Sequence, residues 1–176
     1  SWPTVQAIGD LSRMLGEQRK PFQLRSPSEM SFEQMKSQPI VVIGMFSNPW
    51  TIELTRQLRF TFELADDGHY LVKDAKHPEM VRHVRGLYPA SAMPVDYALI
   101  TRLVNAQRDR SVVAIGGISG LGTQVAADFA TNARSWEQFA RVAQSGWEQK
   151  NVQILLETRI IGNTPSPPTI VATHVW

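Results

Sequence analysis

The 176-residue chain contains no cysteine. That excludes a disulfide framework, a thiolate metal site and a cysteine nucleophile, and it suits an exported domain as well as a cytosolic one. Long hydrophobic runs are missing too. The apolar stretches near residues 40–46 and 111–118 are shorter than a bilayer span. No signal peptide opens the chain, which begins on Ser1 and not on Met. It reads as a piece of a longer protein, with an upstream domain or membrane anchor as the expected neighbour. Charge of one sign is scarce: 18 Lys and Arg against 16 Asp and Glu leave a net charge of +2, too little for a nucleic-acid partner. His69, His77, His83 and His174 show no metal-ligand spacing such as H-E-x-x-H, and read as surface residues.

What is present fits one α/β domain over residues 1–176, with an N-terminal helix (within residues 1–20) packed on it. Val5, Ile8, Leu11 and Leu15 fall at helical spacing, and Pro3 suits a first turn. Phe22–Arg25 reads as a short edge strand. Ser31 with Gln34 resembles a capping box. Ile40–Ile43 is a continuous apolar strand, which implies a sheet covered on both faces. Asn48 then stands as an N-cap with Pro49 at the first helical position, and the helix is expected to run to about Leu58. Arg59–Leu64 and Tyr70–Lys73 read as a hairpin around Asp66-Asp67-Gly68. Residues 74–95 read as a loop with at most a short helix. Asp96–Leu103 and the strand from Val112 read as an antiparallel pair joined by NAQRDR. Ser135 is the expected cap of a helix with Trp136, Phe139, Val142 and Ala143 on one face. Val152–Ile161 and Thr169–Val175 read as strands around a Pro-rich turn.

The stretch SVVAIGGISGLGTQVAADFATN, residues 111–132, repeats the strand–turn–helix layout of residues 40–58. Two such units predict a three-layer Rossmann-like sandwich, a mostly parallel sheet with antiparallel edge strands. Backbone N–H groups at a glycine-rich helix start can face an anion. Gly116, Gly117, Gly120 and Gly122 would let a phosphate or carboxylate approach, with Ser119 and Thr123 supplying hydroxyls. The same glycines would equally serve a tight strand-to-helix turn. In a parallel sheet Ser47, Asn48 and Thr51 would reach the same crevice, with Trp50 as a stacking face or as core. Arg56 and Arg59 could offer charge to an anion, or lie on the surface. Asp96 and Tyr97 would reach the crevice only if their strand runs antiparallel.

Catalysis has thinner support. Ser119 sits in GISGL, but position 121 is leucine where a nucleophile elbow needs glycine. No Walker lysine and no G-x-G-x-x-G spacing occur in the loop.

PIVVIGMFSNPWT, LRFTFE, DYALITRL, GGISGLGTQVAADF and ETRIIGNTPSPPTIVATHVW together resemble an uncharacterised bacterial α/β domain family, covering most of residues 20–176. Its members sit as C-terminal portions of larger, often membrane-linked proteins. The loop GGISGLGTQVAADF is also similar to the PGG-x-GT-x-x-E loop of the lysine-decarboxylase-like SLOG superfamily. That resemblance implies that Gly116, Gly117, Gly122 and Thr123 hold a nucleotide phosphate. The family's glutamate is replaced by Ala126, so binding is implied without hydrolysis. The leading expectation is therefore a non-catalytic small-molecule-binding or sensory domain for an anionic or nucleotide-like ligand. The alternatives are a hydrolase or glycosidase using Ser119 or Asp128, and a structural or protein-interaction module.

Overall fold

The structure is a computed structural model that describes residues 1–86, 92–105 and 110–176. Helix α1 (Trp2–Glu17) is followed by a 3-10 turn (Pro27–Glu29) and α2 (Phe32–Ser37). Then come β1 (Ile40–Ile43), α3 (Pro49–Thr55), β2 (Phe60–Leu64), β3 (His69–Asp74) and β4 (Arg82–Arg85). The second half holds β5 (Val95–Asn105), β6 (Arg110–Gly117), α4 (Gly120–Thr131), α5 (Ala133–Val142) and a 3-10 turn (Trp147–Gln149). It closes with β7 (Val152–Ile161), β8 (Thr164–Pro165) and β9 (Thr169–Val175).

The main sheet runs β1-β6-β5-β7, with β8 and β9 both paired to β7. Strands β1 and β6 are parallel, Ile40 opposite Val112 and Ile43 opposite Ile115. Every other described pairing in this sheet is antiparallel. This corrects the expected, mostly parallel Rossmann-like sandwich. The physical reason lies in the connections. A parallel pair of neighbours requires a crossover, whereas hairpins make antiparallel neighbours. β5–β6 and β7–β9 are antiparallel neighbours, and the α4–α5 crossover carries the chain past β5 before β7 begins. Strands β6 and β7 share a direction, but antiparallel β5 stands between them.

The continuous apolar strands do have both faces covered, but by unlike layers. Strand side chains alternate between the faces. Ala98, Ile100, Ile154 and Leu156 pack under Ala7, Leu11, Val125, Phe129 and Phe139 of the helices. Tyr97, Leu99 and Leu155 face the other way, onto Phe60, Phe62 and Val72. Those last three belong to a small antiparallel sheet, β2-β3-β4, which occupies the place of a second helical layer. Gln153 joins the two sheets. Its Oε1 accepts from the Phe60 N–H and its Nε2 donates to the Phe60 carbonyl, both at 2.9 Å, and it is fully buried.

Local details differ from the sequence reading in four places. Residues 22–25 form no strand. Arg82–Arg85 is a strand inside the stretch read as loop, while residues 87–91 of that stretch lie outside the described residues. Helix α3 stops at Thr55, short of Leu58. Helix α5 starts earlier than Ser135, because Asn132 caps it by accepting from the Arg134 N–H. The NAQRDR connection falls mostly on residues 106–109, which also lie outside the described residues. The Ser31–Gln34 capping box forms with both reciprocal bonds. Among the described residues no helix is long and apolar enough to cross a membrane.

Candidate functional site

The two strand–turn–helix units lie side by side because β1 and β6 are parallel neighbours. Their turns touch: a Cβ at Gly116 would stand 2.5 Å from the Met45 backbone nitrogen. A Cβ at Gly117 would stand 2.4 Å from Gly122, so strand end and helix start are in backbone contact. Gly120 faces Ser1 and Pro3 of the N-terminal segment. Thr123 Oγ1 accepts from the Gly117 N–H and donates to the Ser119 carbonyl, both at 3.1 Å.

The N-terminus of α4 is occupied by the chain's own carboxyl group. The Asp96 carboxylate accepts from the Gly122 N–H at 2.9 Å, the Ser119 N–H at 3.3 Å and the Ser119 hydroxyl. Ser119 in turn accepts from the Leu121 N–H as the helix cap. Strand β5 runs antiparallel to β6, so its N-terminal end, with Asp96, arrives beside the glycine loop. Asp96 is fully buried, and burial pushes its carboxyl above the ordinary range against the downward pull of Ser119 and Gly122. Its Oδ1 has no hydrogen-bond partner and lies against Gly122, where a Cβ would come within 2.8 Å. The glycine at 122 is what admits the carboxylate.

Most of the other candidate residues are engaged too. Asn48 accepts from the Trp50 N–H and donates to the Ile43 carbonyl at 3.2 Å. Thr51 is fully buried and donates to the Gly44 carbonyl. Ser47 is exposed on the turn. Arg59 makes a two-pronged pair with Asp74, both bonds 2.8 Å, and Arg56 pairs with Glu53 at 3.0 Å. Tyr97 donates to Glu157 at 2.7 Å; burial, then that carboxylate, push its hydroxyl up to about 12. His69 and His77 lie beside Asp67 and Glu79, and His174 stacks on Trp176. No metal-binding group of His, Asp and Glu occurs among the described residues.

Ser119 caps α4 and Asp128 lies nine positions on, about 13 Å along the helix axis. Asp128 is exposed on one side and faces Asp10 of α1; partial desolvation and the second carboxyl push it up to about 6.

Comparison with known proteins finds no matching family model, no matching curated relative and no matching solved structure. The reading therefore rests on the geometry.

Beside the first turn lies a groove of about 900 Å³, lined by Ser26, Pro27, Ser28, Met30, Phe32, Pro49, Trp50 and Glu53. Trp50 is pinned in it: Nε1 donates to the Pro27 carbonyl at 3.0 Å, and Phe32 stacks at 6.4 Å with an interplanar angle of 17°. Trp50 was visible as a stacking residue. Its partners from residues 26–32 were not, because that segment has neither strong periodicity nor a motif that ties it to position 50.

Proposed function

We propose that this chain is a non-catalytic binding domain whose ligand lies in the Trp50 groove. The observation that carries this reading is the pre-organised indole. Trp50 is fixed at its nitrogen and stacked on Phe32 in a groove of about 900 Å³, a volume within the range of small-molecule sites. The amides of the glycine loop argue less for a ligand, since Asp96 already takes two of them. Among the described residues that line the groove none is cationic, and Glu53 is the charged one. Those features favour a neutral ring with one apolar face and hydroxyl or amide groups on its rim. A nucleotide-like molecule fits by its base and not by its phosphates.

The test is a thermal-shift and fluorescence screen of nucleosides, monosaccharides and aromatic amides, on the wild-type chain and a Trp50→Leu variant. A ligand at 100 times its dissociation constant adds about 2.7 kcal/mol, which raises the melting temperature by roughly 5–10 °C in a chain of this size. A shift that Trp50→Leu abolishes supports the groove. A shift that survives Trp50→Leu and vanishes in Thr123→Val returns the site to the glycine loop. No shift with any compound overturns the small-molecule reading in favour of an interaction module.

A further inference from the structure

A second pocket opens on the helical layer, far in sequence from the Trp50 groove. It measures about 540 Å³, and its lining includes Met14, Thr131, Trp136, Glu137 and Trp147. We propose that it binds a small organic cation of the quaternary ammonium type. Two helix C-termini and one carboxylate face it. The pocket lies at the C-terminal ends of α1 and α4, through Met14 and Gln18 on one and Ala130 and Thr131 on the other. Helix C-termini carry partial negative charge and favour cations. Neither helix has a basic residue in its last turn to answer that charge. Arg19 and Lys20, which follow α1, are exposed and do not line the pocket. The start of α5 also borders it, and that end is capped by Asn132. Glu137 is the one charged group among the lining residues.

The aromatic surface points the same way. Trp136 and Trp147 stack with ring centroids 5.6 Å apart and an interplanar angle of 2°. Indole faces attract cations, most strongly where water is excluded. This pair already receives one within the fold: the Arg102 guanidinium lies 5.3 Å from the Trp147 ring centroid. Arg102 is anchored there by bonds to the Trp147 and Lys150 carbonyls. The Trp136 nitrogen is held by the Ala130 carbonyl at 2.9 Å, so the indole is fixed without a ligand. An ammonium with methyl groups would meet indole and thioether surface on its apolar side and Glu137 on its charged side.

The test compares choline with its uncharged isostere 3,3-dimethylbutan-1-ol, by titration of the whole chain while the indole N–H resonances are followed by NMR. Choline is expected to shift the Trp136 and Trp147 signals saturably and to bind about tenfold tighter than the isostere, the equivalent of about 1.4 kcal/mol of charge-dependent attraction. Glu137→Gln, an exposed change that the fold tolerates, should weaken choline about threefold and leave the isostere unchanged. Trp50→Leu should leave choline binding intact, which separates this site from the proposed groove. Equal affinity for choline and the isostere overturns the proposal. So does a lack of movement in either indole signal at about 50 mM choline, well above the millimolar range of weak specific sites.

Discussion

Asp96 shows how one side chain decides what a motif can do. The loop around Gly116–Thr123 has the composition of an anion cradle, and the cradle is filled from within. Removing the carboxylate leaves buried donors at the helix start unpaired, which outweighs relief of its own desolvation. Asp96→Ala is therefore expected to lower stability by about 2–3 kcal/mol, measured by urea unfolding. If the variant is as stable as the parent, the carboxylate does not hold the loop. Asp128 acts in the opposite sense. Partial desolvation and Asp10 raise its folded pKa to about 6, so the folded chain binds the proton more tightly than the unfolded one. Stability from this group is present at acid pH and is lost as pH rises from the ordinary carboxylate range through about 6. Asp128→Asn should raise the melting temperature at pH 7.5 and leave it little changed at pH 4. An equal effect at both values removes the Asp10–Asp128 repulsion as the cause.

At the scale of elements, local signals and the two hairpin pairs, β2–β3 and β5–β6, were legible, and the longer-range partnerships were not. The Asn48 cap and the Ser31 box depend on neighbours within a few residues, and they form; the strand at Ile40–Ile43 was legible from its apolar run, although its partner β6 is distant. Strand β4 was missed because Arg82-His83-Val84-Arg85 carries little apolar character, and pairing with β3 makes it a strand. Asn132 outcompeted Ser135 as a cap because the chain leaves α4 there in extended backbone. Gln153 had no signal at all. It sits in an apolar strand, and only the docking of β2 gives its amide two backbone partners. Gln153→Leu keeps the volume and leaves the Phe60 N–H and C=O unpaired. It should cost about 2–3 kcal/mol by the same unfolding assay. A neutral result means the small sheet is held by Phe60, Phe62 and Val72 alone.

At the scale of the whole molecule, the sequence by itself determined that the chain holds both helices and strands and located its most apolar strands, at Ile40–Ile43 and from Val112. Periodicity and apolar runs report the burial of each segment against something, and that information is local. That the glycine loop and the turn after β1 lie side by side follows from the parallel pairing of β1 with β6, which the tertiary structure supplies. Only the tertiary structure decided the pairing of β5 with β7, the sheet that covers the second face, and the occupant of the glycine loop. Each of these depends on pairings between distant positions: β5 with β7, Phe60 with Gln153, Asp96 with Gly122. An apolar strand reads the same whether its neighbour runs parallel or antiparallel, and a carboxylate gives no local sign of which distant amides it will meet.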